Sequence, residues 1–130
     1  MSIIKVTEKM LRKFEVLEKN WYPFEIVEIN GPKPNKSNNL ELKLVVKVLE
    51  GDCEGTETQM WFYPIAYGQP FVDLAKAIEG VEITSGMEID PDRWVGKQFW
   101  SEALVKINPK SGDPMNEFKK FTSISDGPAF

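Results

Sequence analysis

Residues 40–65, LELKLVVKVLEGDCEGTETQMWFYPI, read as two strands joined by a tight acidic turn. Leu40, Leu42, Leu44, Val46 and Val48 share one phase of an extended chain, and Glu41, Lys43, Val45 and Lys47 share the other, because successive strand side chains point to opposite faces. The connection GDCEG brings residues 56–65 back as the antiparallel partner of a hairpin. In the returning strand Glu57 and Gln59 mark the outward phase. That phase carries Trp61 and Tyr63 outward and leaves Met60 and Phe62 to the core. Three consecutive rings cannot all enter one core, so the hairpin must display aromatic surface, and it displays it beside Lys43 and Lys47.

Working outward, TEKMLRKFEVLEK (7–19) places Met10, Phe14 and Leu17 at helical spacing behind Thr7 as a cap, which predicts an amphipathic helix within residues 1–20. WYPFEIVEI alternates and reads as a strand, and GPKPNKSNN (31–39) reads as a loop carrying Lys33 and Lys36. QPFVDLAKAIEG has Phe71, Leu74, Ala75 and Ile78 on one helical face and closes on Gly80, while DPDRWVG supplies a capped turn with Asp90, Pro91 and Gly96. In KQFWSEALVKI (97–107) Phe99, Ala103, Val105 and Ile107 alternate with Gln98, Trp100, Glu102 and Lys106. The last strand, MNEFKKFTSI (115–124), sets Phe118 and Phe121 on opposite phases, which calls for a bulge or a mixed face. The expected fold is mainly β: a five-stranded antiparallel barrel of the OB-fold kind, with a helix between strands 3 and 4 and an extra N-terminal helix. It would occupy residues 21–125, followed by a short tail, 126–130.

A chain of 130 residues is about one domain's worth. No apolar run approaches a membrane span, and the N-terminus lacks a secretory h-region. The single cysteine, Cys53, excludes an internal disulfide and fits a reducing cytoplasm. Because histidine is absent, the commonest general base and metal ligand is missing. Cys53 lies among acidic neighbours that disfavour a thiolate, and Asp90 and Asp92 are explained by capping. No phosphate-cradling glycine loop is present. An enzyme is therefore not expected, nor a cofactor or a metal. Charge is unevenly placed: residues 1–47 hold nine Lys/Arg against six Asp/Glu, residues 48–96 two against ten, and residues 97–130 five against four.

Taken together, WYPFEIVEI, the KSNN loop, LELKLVVKVLEGDCEG, the helix ending AIEG, IDPDRWVGK and the strand pair around NPKSGDPMNEF resemble the small phage-encoded OB-fold domains typified by single-stranded-DNA-binding proteins. The likeness covers roughly residues 20–125 and includes no catalytic motif. It implies a non-catalytic role in phage DNA replication or recombination, in the host cytoplasm.

Bases stack on exposed rings, and lysines follow the phosphates. Trp61, Tyr63, Trp100 and Phe118, with Trp21 as a further candidate, are the expected stacking residues; Lys33, Lys36, Lys43, Lys47, Lys106, Lys119 and Lys120 are the expected phosphate contacts. For any one ring, burial in the core is the simpler explanation, and Trp94 beside its turn reads as packing. The tail SDGPAF ends on Phe130, similar to the tails with which single-strand-binding proteins recruit replication and recombination partners, although one aspartate stands where such tails carry several. The alternative from another class is a protein-interaction or homo-oligomerisation module that uses the same aromatic face.

Overall fold

The structure, a computed structural model, describes residues 3–6 and 16–128. The predicted N-terminal helix falls largely on residues outside this set, and so does Phe130. Residues 16–18, the expected end of that helix, have no regular structure.

The described elements are β1 (Asn20–Pro34), β2 (Leu40–Val48), β3 (Glu57–Phe62), α1 (Gly68–Glu79), a 3-10 turn (Pro91–Trp94), β4 (Gln98–Ile107) and β5 (Pro114–Ser123). The strands form one antiparallel sheet in the order β3-β2-β1-β4-β5. A helix between the third and fourth strands is thus observed, but the sheet is not closed into a barrel. Its edges, β3 and β5, approach through side chains instead: the rings of Phe62 and Phe121 lie 5.6 Å apart, and α1 packs on β5.

β1 runs further than its sequence suggests. It continues through Gly31-Pro32-Lys33-Pro34, with register shifts after Ile26 and after Asn30, so the expected loop of residues 31–39 shrinks to residues 35–39. Gly31 allows this, since its φ is 103° and a Cβ there would stand 2.6 Å from the Glu41 carbonyl oxygen. The remaining turn is held by Asn35, whose Oδ1 accepts the backbone N–H groups of Ser37 (2.9 Å) and Asn39 (3.0 Å).

In β5 the conflict of phase between the two phenylalanines is resolved by a bulge. Ser101 pairs with Phe121 and Glu102 with Lys119, which leaves Lys120 as the extra residue at φ 58°. One inserted residue restores the phase, so both rings reach the core: Phe118 meets Phe24 edge-on at 5.7 Å, and Phe121 meets Phe99 at 6.0 Å.

The core is built from the inward phases of all five strands. Phe24, Ile26, Leu42, Leu44, Val46, Val48 and Phe99 are completely buried, together with Leu74 of α1 and Trp94. Burying each such side chain contributes about 1.5–3 kcal/mol. Trp94 is packing, as its turn position suggested: its Nε1–H donates to Glu79 Oε1 at 2.8 Å and its ring lies 5.7 Å from Phe71. Leu17, ahead of β1, is buried as well. The Asn116 side-chain amide fastens it to β5, accepting the Leu17 N–H (2.8 Å) and donating to the Leu17 carbonyl (2.8 Å). Val105 and Ile107 depart from expectation: they are in phase with the core but 46% and 61% exposed. β1 begins opposite Ala103, so the end of β4 has no β1 partner there.

Candidate nucleic-acid interface

The β2–β3 register sets Lys43 directly opposite Trp61, Val45 opposite Gln59, and Lys47 opposite Glu57. Residues opposite one another in an antiparallel pair share a face. Met60 and Phe62 are buried while Trp61 is 44% exposed, so the phase inferred from Glu57 and Gln59 is the phase observed. The outer face is not uniformly open, because Val45 is buried on it.

Trp61 belongs to one wall of a groove of about 690 Å³ between the edges β3 and β5. Tyr63 and Tyr67 continue that wall, and Lys106, Glu117 and Phe118 belong to the opposite one. β3 stops at Phe62, earlier than the sequence suggests, because Pro64 has no N–H for a ladder. Tyr63 instead forms an isolated bridge with Tyr67. The Tyr63 phenol is pushed up from its ordinary value, first by burial and then by the Glu41 carboxylate, and it stays neutral at physiological pH.

The other expected site residues are scattered. Lys47 lies 3.9 Å from Glu25 and faces Glu57, so its charge is largely balanced. Lys33 and Lys36 are exposed at the β1–β2 turn, with Lys33 opposite Glu41. Trp100 sits on the outer phase opposite Pro23 and Thr122, and its Nε1–H donates to the Ile124 carbonyl at 3.3 Å. It lines a separate recess with Trp21, whose rim carries Glu18, Glu50 and Asp52. Trp21 itself is 9% exposed. Phe118 is turned toward Phe24 and also lines the groove. Lys119 is exposed opposite Glu102. Lys120, displaced by the bulge, lines a different recess beside Lys76 and Gly80 of the α1 end. The structure therefore gathers Trp61, Tyr63, Lys106 and Phe118 at one groove, with Lys43 beside Trp61, and places Lys33, Lys36, Lys47, Trp100 and Lys120 elsewhere.

The tail does not simply leave after β5. The Gly127 carbonyl accepts the Thr122 hydroxyl at 2.6 Å, and the Asp126 N–H donates to Ser123, so residues up to 127 fold back on the strand.

Just after β3, Ile65 (80%) and Tyr67 (71%) are exposed and are not among the expected site residues. The available signal was Pro64, which ends the ladder and turns the next residues out. Among the described residues no group of three or more acidic or cysteine side chains could hold a metal, and no helix is long and apolar enough to cross a membrane. In comparison with known proteins, no family model matches the chain and no curated protein is significantly similar to it.

Proposed function

We propose that the protein binds single-stranded DNA without catalysing a reaction, holding bases on the outer rings of the β2–β3 hairpin and phosphates on nearby lysines. One observation carries this reading: Trp61 is 44% exposed on the outward phase of β3, directly across the ladder from Lys43, while Met60 and Phe62 on either side of it are buried. An indole left 44% exposed contributes less to the core than its fully buried neighbours. Beside a cation it offers what an unpaired nucleotide needs, a flat face for the base and a positive charge for the phosphate. The sheet order, with β3 and β5 brought together by Phe62 and Phe121, suits an OB-fold-like barrel left open at that seam. A place in phage replication or recombination follows from the family resemblance of residues 20–125.

A second reading, a protein-interaction or self-association module, is favoured by the exposure of Ile65, Val105 and Ile107. Titration of labelled oligo-dT and of the matching duplex, with mass measured across protein concentration, separates the two. Single-strand binding much tighter than duplex binding supports the first, since paired bases have no free faces. Equal affinity for both forms sinks stacking. No response to DNA together with a concentration-dependent mass supports the second.

A further inference from the structure

Tyr67 is more exposed than Trp61, and its ring rests on one neighbour. The Tyr67 N–H donates to the Tyr63 carbonyl at 2.8 Å, closing the turn 63–67 into a bridge. α1 begins at the next residue, Gly68, so the Tyr67 backbone is fixed from both sides. The ring of Tyr63 meets that of Tyr67 at 6.4 Å with the planes 82° apart, the edge-to-face arrangement that aromatic pairs favour. Tyr63 is itself half-buried, whereas Tyr67 is 71% exposed. A ring with this much free surface, on a bonded backbone and braced on one side by a second ring, loses less conformational entropy on binding than an unsupported one. It also stands in the same groove as Trp61.

We propose that Tyr67 is a second stacking platform, so that the groove takes at least two unpaired bases at once, one on Trp61 and one on Tyr67, with Tyr63 acting through Tyr67 as a positioning residue. This rests on the reading of the groove as a single-strand site. The ligand class narrows accordingly to strands whose neighbouring bases can be splayed onto separate rings.

The test is fluorescence anisotropy of labelled oligo-dT on wild type, Trp61→Ala, Tyr67→Ala, Tyr67→Phe, Tyr63→Ala, Tyr63→Phe and the double alanine variant, with a thermal melt of each. Tyr67→Ala lowers affinity on the order of tenfold, the worth of one stacked base, while Tyr67→Phe and Tyr63→Phe keep it. Tyr63→Ala reproduces most of the Tyr67→Ala loss, and the double variant loses no more than Tyr67→Ala alone, as expected when one residue acts through the other. If wild type binds, Trp61→Ala weakens binding, and Tyr67→Ala stays within about twofold of wild type, a margin set by ordinary additivity error, the second platform is refuted and the proposed function stands. Additive losses from the two tyrosines refute the positioning role of Tyr63. Failure of wild type to bind oligo-dT overturns the proposed function and this inference with it.

Discussion

Replacing Trp61 by alanine separates a ring that serves the surface from one that serves the core. Truncating a fully buried Phe or Trp costs about 3–5 kcal/mol. Phe62 is 4% exposed and in ring contact with Phe121, so Phe62→Ala should incur that full cost. Trp61 keeps 44% of its surface in water, and scaling the same cost by the buried share gives about 2 kcal/mol. The melting temperature should then fall by roughly 6–10 °C, against roughly twice that or outright unfolding for Phe62→Ala. Binding should move the other way in relative terms. Loss of one stacked base removes about 1–3 kcal/mol, or roughly 5- to 150-fold in Kd, from a protein that is still folded. Circular dichroism melts and anisotropy of labelled oligo-dT measure the two effects separately, without relying on the indole that has been removed. A Trp61→Ala variant as unstable as Phe62→Ala, or one that is folded and binds oligo-dT like wild type, would refute the reasoning.

Other outcomes follow from the packing. Asn116→Ala should cost about 2–3 kcal/mol by melting, because its amide joins Leu17 to β5 and also donates to the Leu104 carbonyl at 3.1 Å, leaving partly buried backbone groups unpaired. Lys120→Gly should raise stability by up to about 1 kcal/mol and Lys120→Val should lower it, since φ there is 58°, a region glycine adopts freely and a β-branched residue resists. Alkaline titration should destabilise the protein above about pH 10. Burial, then Cys53 and Glu18, raise the Tyr22 phenol, and burial, then Glu41, raise that of Tyr63. Below the ordinary tyrosine value both states keep these protons; above it the unfolded chain loses them first, so stability falls as pH rises through the folded values. Tyr22→Phe should flatten that fall while costing about 1 kcal/mol at neutral pH for the lost hydrogen bond to the Glu18 carbonyl at 2.7 Å.

Strand phase was legible wherever polar and apolar residues alternate. Glu57 and Gln59 sufficed to put Met60 and Phe62 inside, and Asp90-Pro91 with Gly96 sufficed for the 3-10 turn, whose Asp90 carboxylate accepts the Asp92 N–H at 3.1 Å. The bulge could be anticipated from the spacing of Phe118 and Phe121, but not placed: nothing in the lysine pair says which residue will take the positive φ. Two features depend on distant partners and escaped the sequence. Continuation of β1 through Gly31 depends on a close approach to the Glu41 carbonyl across the ladder. The groove depends on β3 and β5 meeting as the two sheet edges, which alternation within either strand does not encode. The same limit governs the site. Lys43 and Trp61 could be paired because one hairpin carries both, whereas Lys106, Trp100 and Lys120 lie on other strands and their places were set by register and by the bulge.

Those places decide what kind of binding the groove can support. The sequence offered seven lysines for phosphate contact, a number that would make affinity fall steeply with salt. The structure leaves few of them at the groove. Lys47 is paired with Glu25, Lys33 and Lys119 stand across their ladders from Glu41 and Glu102 and do not line the groove, and Lys120 lies in another recess. Lys36 is held at the far β1–β2 turn. Lys43 beside Trp61 and Lys106 in the opposite wall remain. Each phosphate neutralised on a single strand contributes about −0.7 to the slope of log K against log salt, so two contacts give a slope of about −1.4. Affinity would then come mainly from stacking, and it should be only mildly salt-sensitive. Anisotropy titrations of labelled oligo-dT over a series of salt concentrations measure that slope directly. A slope steeper than about −3 would mean four or more phosphates engaged, which the groove cations cannot supply, and would move the DNA path onto Lys33 and Lys36 or onto the basic residues of the N-terminal segment.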